Sequence, residues 1–259
     1  MRMANPELKW WHVRWKKLAL RLAIAFAVIY LAEGAVEVVG SQLRPWWYAR
    51  HMFAEIPVSR LVLTPLSDQS FAQLLGTRVE MYGYSIQTPW NEQPKIKDYR
   101  TMTSVAFMQS DAGLLIFDPA SDDGLRIVLK MKSDPDMESI LGKQALNSRY
   151  DLMAAEIDAM PEQAKWWEMP RANARVMMLV AYKSMELADY GSVHKIGAGG
   201  LRGFQEGDPI KPPYRVRLDL FDATDQRFLI QISAGHNQGP VLTQAQLNAM
   251  VASIQPIGK

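Results

Sequence analysis

The stretch RVRLDLFDATDQRFLIQISA, residues 215–234, decides the fold of this chain. Two β-rich runs, YRVRLDLFD and QRFLIQISA, stand on either side of the short segment ATD at residues 223–225. Strands that are separated by so few residues pair with each other in antiparallel fashion. The stretch therefore predicts a tight antiparallel hairpin.

Further β-rich runs, bounded by Gly, Pro and Asp, precede the hairpin along the chain. They are RVEMYGYSIQTP (78–89), MTSVAFMQ (102–109), GLLIFDP (113–119) and VHKIGAGGLRGFQEGD (193–208). Each run has the length and composition of one or two strands. Together with the hairpin they predict a mainly antiparallel sheet.

Four segments carry helix signals. One of them, RANARVMMLVAYKSMELA, has apolar residues at helical spacing, which predicts that it packs on the sheet. Helices that cover one face of a mainly antiparallel sheet define the α+β class. The four segments are DQSFAQLLG, with Asp68 as N-cap and Gly76 as stop; a region that starts at Ser133 or Asp134 before Pro135 and runs with breaks through LGKQALNSRYDLMAAEIDAMP; RANARVMMLVAYKSMELA, with Val176, Leu179, Val180, Lys183 and Leu187 on one stripe; and LTQAQLNAMVASI, with Thr243 as N-cap.

The order of these elements resembles the PsbP-like α/β/α sandwich, a superfamily named for an extrinsic subunit of plant photosystem II. The matching stretches are MYGYSIQTPW, the hairpin RVRLDLFDATDQRFLIQISA and the final helix LTQAQLNAMVASIQP. The resemblance covers roughly residues 70–257, lies in topology and transfers no functional residue. It implies the role of a small accessory, assembly or stabilising subunit of a larger complex.

The N-terminal part of the chain predicts a membrane anchor. Residues 18–39 are apolar and would form a helix of about 33 Å, close to the hydrocarbon thickness of a bilayer. Residues 1–50 hold eight Lys and Arg against three Glu, and most of these basic residues precede the span. The basic-side rule then places the N-terminus in the cytoplasm and the main domain in the periplasm of a bacterial cell. A cleavable signal peptide and a buried helix of a soluble protein are the two alternatives.

The predicted anchor divides the chain into four regions. Residues 1–17 form a basic cytoplasmic tail and residues 18–39 a single transmembrane helix. Residues 40–67 form an interfacial connector, rich in aromatic residues and Pro, and residues 68–259 form the extracytoplasmic α+β domain.

Two carboxylates, Glu33 and Glu37, share one face of the predicted membrane helix because they are four residues apart. Glu37 lies near the outer interface and can reach the headgroups. An ionised Glu33 at depth would cost a few kcal/mol, which makes a partner group on a neighbouring helix an alternative to a shorter or tilted span. Both residues are candidate partner contacts.

No motif in the sequence points to catalysis, a cofactor or a metal. The four histidines are scattered and cysteine is absent. DPASDD, with Asp118, Asp122 and Asp123, could bind Ca²⁺ through oxygen ligands, but the pattern favours a solvated turn with capping aspartates. GAGGLRG at residues 197–203 lacks the context of a phosphate site, because a strand pattern follows it. Ser192 and His194 lack an orienting acid. The basic charge is confined to the N-terminus, which argues against nucleic acid as a partner.

Tryptophan pairs are the remaining candidates. Trp46 and Trp47 follow the predicted span, and Trp166 and Trp167 lie in a polar loop where they form either a local core plug or an interface anchor. The sequence thus favours a non-enzymatic accessory subunit that stabilises a larger membrane complex, photosynthetic or respiratory. The alternative is a tethered module that binds a small ligand or lipid between sheet and helices.

Overall fold

The computed structural model describes residues 43–121, 138, 140–167, 170–187, 191–234 and 239–257. The predicted tail (1–17), the predicted membrane helix (18–39) with Glu33 and Glu37, and the helix start at residues 133–135 lie outside these ranges. No helix within the described ranges is both long and apolar enough to span a bilayer.

One large sheet runs through the described chain. Its strands are β1 (Leu63–Pro65), β4 (Lys95–Asp98), β5 (Met102–Phe107), β6 (Ala112–Phe117), β7 (Val193–Ala198), β8 (Leu201–Glu206), β9 (Arg215–Phe221) and β10 (Arg227–Ala234). They lie in the order β1-β7-β8-β9-β10-β6-β5-β4. All neighbours pair antiparallel except β1 and β7, which are parallel. The prediction of a mainly antiparallel sheet is confirmed.

The hairpin predicted at residues 215–234 is formed by β9 and β10 and lies near the middle of the sheet. Leu218 pairs with Ile230 in its register. The side chain of Asp222 closes the turn because its Oδ1 accepts hydrogen bonds from the backbone N–H of Thr224 at 2.8 Å and of Gln226 at 2.9 Å. The turn chemistry expected of Asp in this position is thus present.

One face of the large sheet packs on a small sheet and a helix. The small sheet contains β2 (Arg78–Met81), β3 (Tyr84–Gln87) and β11 (Gln255–Pro256), and the helix is α3 (Gln244–Ala252). Thr243 caps α3 as predicted, since its hydroxyl accepts from the Gln246 N–H at 3.2 Å. The core on this side includes Trp90, Phe107, Leu218, Phe228 and Leu247.

Two further helices pack on the opposite face. They are α1 (Arg149–Asp158) and α2 (Pro170–Glu186), and their core with the sheet includes Tyr150, Leu152, Val180, Phe204 and Phe221. Helices therefore lie on both faces of the sheet, not on one as the sequence suggested, because α3 returns to the side of the small sheet. The α+β class is confirmed; the PsbP-like identity of the fold stays a prediction.

The prediction of a short helix from Asp68 to Gly76 is wrong. These residues form a loop, and Asp68 accepts a hydrogen bond from the Ser70 N–H at 2.9 Å in a local turn. The side-chain amide of Asn248 on α3 donates to the carbonyls of Asp68 at 2.9 Å and Ser70 at 2.8 Å. The loop backbone is thus hydrogen-bonded to α3 instead of to its own next turn.

Part of the predicted connector, residues 40–67, packs on the domain. Residues 43–47 are α-helical and continue into a π-helical turn, Tyr48–Phe53, followed by a 3-10 turn, Pro57–Arg60, and by β1. Phe53, Ile56, Leu61 and Leu63 pack against the core on the side of α1 and α2. Packing therefore begins before residue 68, whereas the connector's place at a bilayer stays a prediction.

A buried lysine joins the connector to both helices. Lys183 of α2 has no exposed surface, and its Nζ donates to the carbonyls of Leu61 at 2.6 Å, Ile157 at 2.7 Å and Ala159 at 3.0 Å. These three acceptors use all three N–H groups of an ammonium. Burial lowers the pKa of Lys183 to about 8, so the charged form predominates at pH 7.

Replacement of this lysine tests its role. Lys183→Met keeps the length of the side chain but leaves three buried carbonyls without their donor, so we expect the free energy of unfolding to fall by about 3 kcal/mol or more. Chemical unfolding of the full chain in mild detergent, followed by circular dichroism, measures the change. Lys143→Met, at an exposed position, is the control and should shift it by less than about 0.5 kcal/mol. Equal midpoints for both variants would contradict the assignment.

Truncation tests the connector. A chain that begins at residue 68 lacks β1 and the Leu61 carbonyl, so we expect it to lose soluble yield and cooperative unfolding relative to a chain that begins at residue 43. Limited proteolysis of the two purified chains provides the comparison. Equal resistance to protease would show that residues 43–67 are dispensable for the fold.

Candidate binding surfaces

An open groove of about 790 Å³ lies between α1 and α2. Small side chains along a helix allow the backbone of a second helix to approach closely. The groove therefore suits a helix better than an enclosed small molecule. Its uncharged lining is mainly small and aliphatic: Ile140, Gly142, Ala145, Ala154, Ala155, Ala159, Ala172, Val176 and Leu179.

The two walls of this groove carry opposite charges. Asp151 and Asp158 line it from α1, and Arg171 and Arg175 line it from α2. The two arginines are one helical turn apart and exposed, and neither forms an ion pair with another residue of the described ranges. A helix bound here would meet a basic wall on one side and an acidic wall on the other.

Exposed aromatic side chains lie on two segments beside α2. Trp166 and Trp167 are 61% and 67% exposed, and their rings meet edge to face with centroids 5.7 Å apart. Trp47 is 48% exposed and stacks on His51 at 5.3 Å, while Trp46 is half-buried. The sequence left open whether Trp166 and Trp167 plug a local core or serve as an interface anchor. Because both rings are exposed, they do not plug a core.

These two segments contact each other and are held on the same helix. The turn Tyr48–Phe53 contacts both the 3-10 turn Pro161–Gln163 and α2. The backbone of Lys165 is bound at both ends by the Asn173 side chain of α2, at 2.9 Å and 2.7 Å. Tryptophans that are about 120 positions apart in the sequence thus lie on neighbouring segments.

A smaller pocket of about 290 Å³ lies between the loop at 66–71, β7 and α3. Gln205 and Asn248 supply its buried polar groups. Gln205 exchanges two hydrogen bonds with Gln244, at 2.8 Å and 2.9 Å, and Gln244 also donates to Asn248 at 2.9 Å. The amides therefore satisfy one another without a ligand.

A cluster of four charged side chains is buried on the α1 and α2 side of the sheet. Asp219 of β9 accepts from Arg227 Nε at 2.6 Å and lies 2.8 Å from Arg217 Nε, which is in turn 3.5 Å from Glu206. All four residues are nearly inaccessible to solvent. Charges in such a place require close pairing.

The two carboxyl groups of this cluster hold their protons differently. Burial and the adjacent Asp219 raise the pKa of Glu206 well above its ordinary value of 4.5. Burial acts on Asp219 as well, but Arg217 and Arg227 outweigh it and lower the pKa of Asp219. We therefore assign a protonated carboxyl group to Glu206 and a negatively charged carboxylate to Asp219.

The structure places the remaining candidates of the sequence in ordinary structural roles. Asp118 accepts from the Ala120 N–H at 2.9 Å within a turn, and Asp122 and Asp123 lie outside the described ranges. The glycine-rich segment forms the β7–β8 turn. In it Gly203 faces β9 so closely that a Cβ would lie 1.9 Å from the Asp219 carbonyl oxygen, the close backbone approach that glycine in a strand indicates.

Ser192 and His194 each contact a different neighbouring segment. His194 Nδ1 lies 2.8 Å from the Thr64 hydroxyl on β1, and the Ser192 carbonyl accepts from the Gly207 N–H at 2.8 Å. In the described part of the chain, no group of three His, Asp or Glu side chains is arranged to hold a metal ion.

The buried cluster gives a prediction on stability. Asp219→Asn leaves two buried guanidinium groups without their carboxylate, so we expect the free energy of unfolding to fall by about 3–5 kcal/mol. Glu206→Gln keeps the shape and hydrogen bonding of the protonated carboxyl and should be far milder. Chemical unfolding at pH 5 compares the two variants, and equal losses would contradict the assigned proton.

The pH dependence of the same variants has a definite sign. Above pH 4.5 an unfolded Glu206 releases its proton whereas the folded one retains it, so this residue makes stability fall as pH rises. The glutamine of Glu206→Gln has no proton to release on unfolding. The stability of this variant relative to the unmodified chain should therefore increase from pH 5 to pH 8. Parallel stability curves over that range would show that Glu206 is ionised in the fold.

Comparisons with known proteins find no family model that matches the chain, and no curated protein or solved structure that is similar to it.

Proposed function

We propose that this protein is a non-enzymatic accessory subunit, anchored in the membrane by residues 18–39, whose periplasmic domain stabilises a larger integral membrane complex. The observation that carries the proposal is the groove between α1 and α2. It is open to solvent, has a lining of mainly small and aliphatic residues and presents two exposed arginines. A partner helix with acidic side chains towards α2 would fill the groove and pair with Arg171 and Arg175.

The anchor adds a second contact to this proposal. Glu33, which sits at depth in the predicted span, would hydrogen-bond or pair with a membrane helix of the same complex, while Glu37 reaches the outer headgroups. The two contacts together would hold the subunit on its partner both inside and outside the bilayer.

A ligand-binding module is the less favoured function. The pocket beside β7 has about 290 Å³, near the lower limit for a small-molecule site, and its buried amides are already paired. In the larger groove, by contrast, the two arginines form no ion pair within the described ranges.

Charge reversal in the groove tests the proposed function. Arg171→Glu/Arg175→Glu should release a partner that co-purifies in stoichiometric amount with the full chain from native membranes in a gentle detergent, because the basic wall becomes acidic. The quantity to measure is the partner-to-subunit ratio after affinity purification. We expect a loss of about tenfold or more, which corresponds to about 1.4 kcal/mol.

The control makes the same change of charge elsewhere. Lys95→Glu/Lys97→Glu lies on β4, an exposed edge strand at the other end of the sheet, and should keep the partner ratio unchanged. If the groove variant retains the partner, or if no integral membrane protein accompanies the unmodified chain, the proposed function is wrong.

A further inference from the structure

We propose that Trp47, Met52, Trp166 and Trp167, which we call the aromatic platform, lie in the headgroup layer of the bilayer and fix the orientation of the domain on the membrane. The inference goes beyond the groove, which concerns a protein partner. It depends on the proposed function in one respect, namely that residues 18–39 anchor the chain.

The platform residues lie on two segments that are far apart in the sequence. Met52 belongs to the turn Tyr48–Phe53, and Trp47 directly precedes it. This turn contacts the 3-10 turn Pro161–Gln163, which ends three residues before Trp166. Four large apolar side chains, each between 48% and 67% exposed, therefore lie on two adjacent segments of the domain.

Only a short length of chain separates the predicted span from the platform. The predicted span ends at residue 39, and the described part of the helical segment begins at residue 43. Four residues reach at most about 14 Å even when fully extended. The headgroup region on each side of a bilayer is about 5–7 Å thick, so this segment begins in that layer or directly above it.

The side chains of the platform have the chemistry of a membrane interface. Indole rings settle at the level of the headgroups, where the ring is in an apolar environment and the N–H reaches water. The exposed Arg50 on the same helical segment adds positive charge, which anionic headgroups attract. Glu162 beside the platform lies 3.7 Å from Arg60, so an ion pair offsets its charge.

The absence of cysteine from the chain allows a direct test. A single nitroxide label is attached at Lys165→Cys in the full-length protein, reconstituted in vesicles of phosphatidylcholine with a minor share of phosphatidylglycerol. Oxygen concentrates in lipid and a nickel chelate stays in water, so the ratio of their collisions with the label reports its depth. We expect a membrane-like ratio at residue 165 and a water-like ratio for a label at Met108→Cys. Met108 directly follows β5, which lies five strands away from β7, towards the end of the sheet opposite β1.

Two background variants separate the platform from mere proximity. Trp166→Ser/Trp167→Ser should move the label at residue 165 to a water-like ratio. Phe71→Ser/Leu75→Ser removes two side chains of similar exposure, 61% and 74%, outside the platform and should leave the ratio as it was.

The outcomes distinguish this inference from the proposed function. Extraction of the chain from membranes by alkaline carbonate would refute the anchor and the platform with it. A water-like ratio at residue 165 in an anchored, unmodified chain would overturn the platform alone. Burial of the same label only when the partner complex is present would assign these tryptophans to the protein partner and would likewise overturn the inference.

Discussion

The ammonium group of Lys183 connects three segments that are far apart in the sequence. Its acceptors are Leu61 before β1, and Ile157 and Ala159 at the end of α1. Hydrogen bonds from a charged donor contribute about 1.5–3 kcal/mol each when the geometry is good, and such a sum is needed because burial of an isolated ammonium is costly. The group also satisfies carbonyls at the end of α1 that have no partner within the helix.

Both candidate surfaces depend on this connection. Ala159 lines the groove, and the chain that follows it forms the turn Pro161–Gln163 and then presents Trp166 and Trp167. The hydrogen bond from Lys183 to the Leu61 carbonyl holds the connector on α2. The helical segment at residues 43–53, which carries Trp47 and Met52, precedes Leu61 by only a few positions. The groove and the aromatic platform therefore share α2 as their support, and a change at Lys183 would displace both.

Sequence patterns predicted the elements whose signals are local. The hairpin at 215–234 and the Thr243 cap depend on neighbouring residues alone, and both are confirmed. The helix predicted from Asp68 failed because Asn248, about 180 positions later, binds the carbonyls that this helix would have used. The contact between the segments of Trp47 and Trp166 also joins residues that are far apart in the sequence, so no local pattern predicts it.

Lys183 and the buried cluster were missed although the sequence contains a signal for each. Lys183 stands on an apolar stripe with Val176, Leu179, Val180 and Leu187, a position where an exposed lysine would be out of place. The polar residues of β9 alternate with apolar ones, a pattern that is typical of a strand with one face in water. Here the face that carries Arg217 and Asp219 is buried as well, because α1 and α2 cover the sheet on that side.

Burial of these charges has a consequence for the register of the central strands. Arg217 faces the same side as Phe221, whereas Val216, Leu218 and Leu220 face the other core. A slip of β9 by one residue would move Arg217 and Asp219 into that second core and separate them from Glu206 and Arg227. Both faces of β9 are buried from Val216 to Phe221, so burial alone does not favour one register over the other. The charged cluster, which can pair in only one register, therefore makes the alternative costly and specifies the pairing on which the rest of the sheet is built.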